Sequence, residues 1–119
     1  MNEEDQALQL QPHVVLEPGE QLRHRAPASE ATIAVTDRRL IVSDPTRVAL
    51  AVPFERLRRI QFDVERSRPA TLVIVPEQPS DEAQVLTVRP DQYEATARAL
   101  VAIGLELVGA SQRETAGPA

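Results

Sequence analysis

The chain of 119 residues contains no cysteine, no lysine and no tryptophan, and it has one tyrosine and two phenylalanines. Without cysteine there can be no disulfide, no thiolate zinc site and no thiol nucleophile. Without lysine there is no Schiff-base chemistry and no lysine nucleophile. Because aromatic side chains are scarce, the hydrophobic core has to be aliphatic. The hydrophobic content of 42% is sufficient for one domain of this length.

Long hydrophobic stretches are also missing. Residues 1–12 are polar and acidic and lack the apolar stretch of a secretory signal. No apolar run approaches the roughly 20 residues that a membrane-spanning helix requires. We therefore expect a cytoplasmic protein, with the membrane periphery as the alternative location.

The net charge of −5 is distributed unevenly along the chain. Residues 1–19 carry a balance of −4, residues 20–68 one of +3, and residues 69–119 one of −4. This pattern indicates complementary charges within the domain or between copies of it. An acidic chain with so few aromatic side chains for base stacking does not favour a nucleic-acid partner.

Short apolar segments alternate with turn signals, which is typical of an antiparallel β domain. Seven strands are predicted, over residues 21–26, 31–36, 39–43, 47–52, 59–65, 71–75 and 84–88. The Pro18-Gly19 pair predicts a turn before the first strand. Pro53 ends the fourth strand because it cannot donate a backbone hydrogen bond. Seven short, evenly spaced strands indicate a sandwich or barrel.

Two further segments have a distinct pattern. Residues 54–57 are predicted to form a one-turn corner that places apolar side chains in the core. In the strand 59–65, the apolar residues alternate with polar ones and are predicted to face inward. These inward residues are Ile60, Phe62 and Val64.

After Pro90 the apolar period changes to that of a helix, and proline is favoured as a first helical residue. The face predicted to pack on the sheets contains Tyr93, Ala97, Leu100 and Gly104, with Val101 beside them. We favour Gly104 as the C-terminal cap, and the alternative is an interior glycine. Residues 105–108 would accordingly form a short strand or extend the helix. The predicted organisation is a flexible arm over 1–13, a domain over 14–109 and a flexible tail over 110–119.

Three segments carry a resemblance to known proteins. They are LEPGEQL at residues 16–22, VTDRRLI at 35–41 and VPFERL at 52–57. With seven strands followed by one helix, they resemble the bacterial pleckstrin-homology-like and GRAM-like families. The resemblance covers roughly residues 14–108. It implies a mainly β fold, a seven-stranded antiparallel sandwich or barrel capped by the amphipathic C-terminal helix.

The chain departs from some members of the wider fold in one loop. The basic loop between the first two strands, which binds inositol phosphates in some eukaryotic members, would fall at residues 26–31. That segment here reads APASEA and contains Glu30 but no base. Headgroup binding at that position is therefore not expected.

Candidate catalytic and metal-binding patterns are weak. His13 and His24 are the only histidines, too few to form a metal site. The five serines lack a GxSxG setting. Residues 104–111 match the frame of a phosphate-binding loop, but Ala110 stands where the lysine is needed. We predict no catalytic residues, no cofactor, no metal and no small-molecule substrate.

Five arginines are the candidate anion- or partner-binding residues: Arg38, Arg39, Arg56, Arg58 and Arg59. For the first two we favour a structural interpretation, in which a bond to Asp37 or a cross-strand ion pair fixes the turn. The functional interpretation is an anion clamp formed with the other three.

These observations predict a non-catalytic interaction module. It would self-associate or bind a protein or peptide through a sheet edge or the groove beside the helix. The resemblance implies self-association, because bacterial relatives of this fold assemble through edges and helices into symmetric oligomers. The alternative is peripheral binding of an anionic lipid membrane through the five arginines. An enzyme with a small-molecule pocket is the third and least supported hypothesis.

Overall fold

The computed structural model describes residues 14–66 and 68–115, with side chains described as far as Gly109. Seven strands are followed by one long helix, as the sequence predicted. The elements are β1 (Leu22–Ala28), β2 (Ala31–Thr36), β3 (Arg39–Ser43), β4 (Val48–Pro53), β5 (Leu57–Asp63), β6 (Ala70–Pro76), β7 (Gln84–Val88) and α1 (Tyr93–Thr115). Short 3₁₀ turns precede β5 at Phe54–Arg56 and precede α1 at Pro90–Gln92.

The strands form two antiparallel sheets. Sheet 1 has the order β1-β2-β3-β4 and sheet 2 the order β5-β6-β7. The backbone N–H of Ser29, just beyond β1, donates to the carbonyl of Thr87 in β7 at 2.8 Å and links the two sheets. The predicted fold class is therefore confirmed, a mainly β sandwich with a single C-terminal helix.

The core is aliphatic, as the composition predicted. Inward side chains of both sheets pack together with Ala99 and Ile103 of α1. On β3, for example, Leu40 and Val42 belong to this core, while the intervening Ile41 points to the other face of sheet 1. The helix therefore covers the open end of the sandwich by burying one stripe of small and aliphatic residues.

The buried stripe of α1 differs from the predicted one. Thr96, Ala99 and Ile103 are buried, whereas Ala97, Val101 and Gly104 of the predicted inner face are exposed. Only Tyr93 and Leu100 of that face are half-buried. The prediction was wrong because aliphatic residues occur all around this helix. The hydrophobic pattern therefore does not determine which face of the helix is buried, and the observed buried stripe is displaced by one residue from the predicted one.

The C-terminal end of the helix was also placed wrongly. Gly104 lies inside α1, so the predicted cap is wrong and residues 105–108 extend the helix. The helix continues past residue 109, where the predicted domain boundary lies, as far as Thr115. The flexibility predicted for residues 1–13 concerns residues outside the described part of the chain, and the predicted flexible tail over 110–119 stays a prediction.

Strand β5 begins two residues earlier than predicted and ends before Val64, which is 54% exposed. The predicted inward position of Val64 is therefore wrong, while Ile60 and Phe62 are half-buried as expected. The one-turn corner predicted at 54–57 is present as the 3₁₀ turn, and Phe54 is buried. The earlier start of β5 brings Arg58 and Arg59 into the strand.

Candidate binding groove between β5 and α1

An apolar groove lies between the first half of β5 and the middle of α1. Its volume is about 320 Å³. The lining residues are Leu57, Arg58, Arg59, Ile60, Leu100, Ile103, Gly104 and Leu107. We call it the β5–α1 groove. Six of the eight residues are uncharged, and the two arginines supply its positive charge.

The groove exists because α1 packs mainly against β1 and β2 and so stands away from β5. His24 on β1 contributes to this placement, since its Nε2 atom lies 3.0 Å from the carbonyl oxygen of Ala95. Gly104 lines the groove, and a Cβ atom built there would have no heavy atom within 4 Å. The groove therefore has room for a side chain at this position.

A bulge in β5 turns two consecutive arginines toward solvent. Leu57 pairs with Pro76 and Arg59 with Val75, which leaves Arg58 as an extra residue in the ladder. Such an extra residue re-aims the side chains around it. Arg58 and Arg59 are therefore both exposed, while Leu57 and Ile60 on either side are half-buried. In a regular strand, successive side chains point to opposite faces, so without the bulge one of the two arginines would point inward.

The two arginines have no ion pair with another described residue. Both also line a second cleft of about 380 Å³ with Val75 of β6. Two neighbouring positive charges repel each other, and an anion placed between them would be attracted to both. This end of β5 is therefore suited to a carboxylate or another anion.

The outer edge of β5 is open in the described part of the chain, because β5 pairs only with β6. The exposed surface of α1 also carries apolar side chains, which are Val101 (62%), Leu105 (68%), Leu107 (40%) and Val108 (53%). Of these, Leu107 lines the groove. The groove therefore lies between an open strand edge and a helix that exposes apolar side chains.

Arg39 is held in a structural ion pair and does not take part in this groove. Its guanidinium donates to the buried Glu20 carboxylate through Nε and Nη2 at 2.9 and 3.0 Å. The Thr36 hydroxyl donates to the same carboxylate at 2.6 Å. The bonds from Arg39 are the main cause that lowers the pKa of Glu20 from 4.5 to about 2, against the opposing effect of burial.

Arg38 and Arg56 also lie outside the groove lining. Arg38 contacts Glu17 at 3.6 Å, and its Nη2 donates to the Pro18 carbonyl. Arg56 lies in the 3₁₀ turn and is exposed. The structure therefore brings together only Arg58 and Arg59 of the five predicted arginines. The partner of Arg39 is Glu20 and not Asp37, whose carboxylate instead accepts from the backbone N–H of Gln21.

A search of solved structures finds a chain of similar fold. It is the crystal structure of a pleckstrin homology domain from Shewanella amazonensis SB2B, with a TM-score of 0.57 and 16% sequence identity. The match covers 72% of this chain and 75% of that one. The chain has a pleckstrin homology fold. No protein-family model and no curated protein matches the sequence.

A polar cavity of about 400 Å³ lies at the other end of this pleckstrin homology fold. The loop predicted within residues 26–31 is present but shorter, because β1 and β2 are joined by only two residues, Ser29 and Glu30. Glu30 and Asp44 both line the cavity, and its arginine, Arg47, contacts Asp44 at 4.0 Å. Hydrogen bonds from Thr46 lower the pKa of Asp44. The negative charge here does not favour an anionic ligand.

Metal-binding and membrane-spanning features are not found in the part of the chain that the structure describes. No group of three or more histidine, cysteine or acidic side chains there is arranged to hold a metal ion. None of the described helices combines the length and apolar character needed to cross a bilayer. His13 lies outside the described residues.

Proposed function

We propose that this pleckstrin homology fold is an interaction module that binds an extended protein segment in the β5–α1 groove. The segment would pair with the open edge of β5 as an additional strand. The observation that carries the proposal is the bulge. It places two exposed arginines, which have no ion pair with another described residue, next to an open edge and an apolar groove.

The groove also specifies the chemistry of the partner. In an added strand, successive side chains point to opposite faces. Apolar side chains on one face would contact Leu57, Ile60 and Leu107, while acidic side chains on the other would meet Arg58 and Arg59. The expected partner is therefore an extended segment in which apolar and acidic residues alternate. Burial of apolar area provides affinity, and the arginine pair provides register and specificity.

A display library of random ten-residue peptides, selected on the wild-type chain, tests this proposal. We expect enrichment of sequences with alternating apolar and acidic residues. The decisive variant is Gly104→Leu, in which the new side chain fills the groove. Leucine is a better helix former than glycine by roughly 0.8 kcal/mol, so this variant should remain folded. Selected peptides should bind it at least about tenfold more weakly, a loss of about 1.4 kcal/mol.

A second pair of variants tests the arginines. Arg58→Glu combined with Arg59→Glu should weaken peptide binding, whereas Arg66→Glu serves as the control. Arg66 is also exposed and has no ion pair with another described residue, but it does not line the groove. If no sequences are enriched, or if they bind all variants as tightly as the wild type, the groove is not the binding site.

Binding to an anionic membrane surface is the second candidate function, and the exposure of Arg58 and Arg59 favours it. Each arginine near such a surface contributes about 1 kcal/mol. Two of the five predicted arginines are already bonded to Glu17 or Glu20, which reduces the number available. Vesicles containing phosphatidylserine distinguish the two candidates. Binding to vesicles that is lost in the double arginine variant and retained in Gly104→Leu would support the membrane and not the peptide.

A further inference from the structure

Thr96 of α1 is a buried polar residue whose hydroxyl is left without a hydrogen bond. The residue is 0% exposed, and its hydroxyl bonds to no other described residue, the carbonyl groups of its own helix included. A buried hydroxyl that has no partner destabilises a fold, and folded proteins contain few such groups. Thr96 therefore destabilises the free chain, and a ligand that bonds to its hydroxyl would remove this effect.

Thr96 also lines a small internal cavity between the sheets and α1. The volume of this cavity is about 10 Å³, which suits one group of the size of a water molecule or a hydroxyl. Thr96 is the only polar residue of the lining, and the others are Ile33, Leu40, Ile60, Leu72, Ile74, Ala99, Leu100 and Ile103. A water molecule would find a single polar side chain here, whereas buried waters typically make about three hydrogen bonds. A hydroxyl attached to an apolar body fits this lining better.

The cavity adjoins the β5–α1 groove. Ile60, Leu100 and Ile103 line both spaces. Ile60 and Leu100 are only half-buried, so they separate the cavity from the groove without being locked in the core. Thr96 lies one helical turn before Leu100, about 6 Å along the axis of α1. The unpartnered hydroxyl is therefore one turn beyond the end of the groove lining.

We propose that a tyrosine of the bound segment anchors it in the groove, with its hydroxyl bonded to Thr96. This inference rests on the proposed peptide binding and specifies its main contact. The ring would lie against Ile60, Leu100 and Ile103 after a side-chain rotation of Leu100. The phenolic hydroxyl would fill the cavity, and it can both donate to and accept from a threonine hydroxyl. Serine and threonine offer the same hydroxyl but lack the apolar body that the groove would cover.

The anchor predicts opposite effects of one substitution on the free and the bound chain. Thr96→Val removes the hydroxyl with little change of shape. The free chain should become more stable, because an unbonded buried polar group is lost. Binding of a tyrosine peptide should become weaker, because the phenolic hydroxyl would then be buried without a partner. A threonine with a merely structural role would not affect the choice between tyrosine and phenylalanine in the peptide.

Two peptides and four chains test the anchor by calorimetric titration. The peptides have ten residues in which apolar and acidic residues alternate, and they differ only in one central tyrosine or phenylalanine. We expect the wild type and Thr96→Ser to bind the tyrosine peptide about tenfold more tightly, a difference of about 1.4 kcal/mol. Thr96→Val should lose or reverse this preference. Thr71→Val is the matched control and should keep it, since Thr71 is exposed on β6 and does not line the groove.

The outcomes separate the anchor from the groove. The anchor is overturned if the wild type shows no preference for tyrosine, or if Thr96→Val shows the same preference as the wild type. If both peptides bind the wild type and are weakened by Gly104→Leu, the groove remains the binding site in that case. If neither these peptides nor any from the random library bind the wild type, the proposed peptide binding fails and the anchor fails with it.

Discussion

Glu20 explains why two of the sequence segments that carry the family resemblance occur together. Glu20 belongs to the segment LEPGEQL at residues 16–22, and its carboxylate is fully buried. Its bonding partners, Thr36 and Arg39, belong to the hairpin between β2 and β3. The Pro18-Gly19 turn, in which Gly19 has a φ of 79°, directs Glu20 toward them. The two segments therefore form one buried polar cluster.

The lowered pKa of Glu20 makes the stability of the fold depend on pH. Because the pKa is 4.5 when unperturbed and about 2 in the folded chain, the carboxylate stabilises the fold fully above pH 4.5. This contribution is lost as the pH falls from about 4.5 toward 2. The shift corresponds to roughly 3 kcal/mol. Urea unfolding at pH 6 and pH 3 should show part of this loss in the wild type.

The Glu20→Gln variant should lower the free energy of unfolding at pH 6 and reduce its change between pH 6 and pH 3. Glu17→Gln is the matched control. The Glu17 side chain is 59% exposed, so its ion pair with Arg38 should contribute less than about 1 kcal/mol. An equal effect of both substitutions would contradict the role given to Glu20.

Two buried threonines should respond in opposite ways to the same substitution. The Thr36 hydroxyl accepts from the backbone N–H groups of Arg38 and Arg39 and donates to Glu20. Thr36→Val should therefore cost about 2–3 kcal/mol. The buried Thr96 hydroxyl has no hydrogen-bond partner among the described residues. Thr96→Val should stabilise the fold by about 1 kcal/mol. Chemical unfolding measures both, and the same sign for both would refute this interpretation.

At the scale of elements, the sequence predicted every strand because turn residues separate the apolar segments clearly. It did not predict the bulge in β5. A bulge depends on how one strand pairs with another, and residues 57–60 read equally well as a regular strand. The arginines at the site were therefore predicted as residues, but their common orientation was not.

The helix shows a different limit of prediction. Its existence was predicted correctly, since Pro90 and the change of period are local signals, while Pro90 itself begins the 3₁₀ turn that leads into α1 at Tyr93. Its buried stripe was displaced because Val101, Leu105 and Val108 are as apolar as the residues that pack. Apolar residues on the outer side of a helix are a signal of a binding surface, and one such residue here, Leu107, lines the groove.

Gly19 and Gly104 differ in backbone conformation, so their substitution by alanine should change the free energy of unfolding in opposite directions. Gly104→Ala should raise the free energy of unfolding by about 1 kcal/mol, because the position is helical and unobstructed. Gly19→Ala should lower it by about 1–2 kcal/mol, since φ is positive and the new Cβ would lie 3.3 Å from Arg38 Nη2. Thermal unfolding of both variants checks this. A destabilising Gly104→Ala would mean that the groove is less open than described.

For the whole molecule, the uneven charge distribution is partly accounted for by contacts within the domain. Arg23 of the basic middle contacts Glu106 of α1 at 3.5 Å, and Arg38 contacts Glu17 of the acidic N-terminal part at 3.6 Å. Arg58 and Arg59 have no such partner among the described residues. Part of the surplus of positive charge therefore lies beside the β5–α1 groove.

The groove itself could not be read from the sequence, because its two walls are about 40 residues apart along the chain. Its position depends on where α1 docks on sheet 1 and on the phase of its buried stripe. The sequence predicted a class of site, a sheet edge or a groove beside the helix, because no catalytic pattern competed with it, and this stays a prediction.

The central claim is that a partner segment binds in the β5–α1 groove, and chemical-shift mapping tests it most directly. A peptide selected from the random library is titrated into the isotope-labelled chain. We predict that the largest shifts occur in residues 57–63 of β5 and 100–107 of α1. Largest shifts around Ser29, Asp44 and Thr87, at the polar cavity on the opposite end, would contradict the claim.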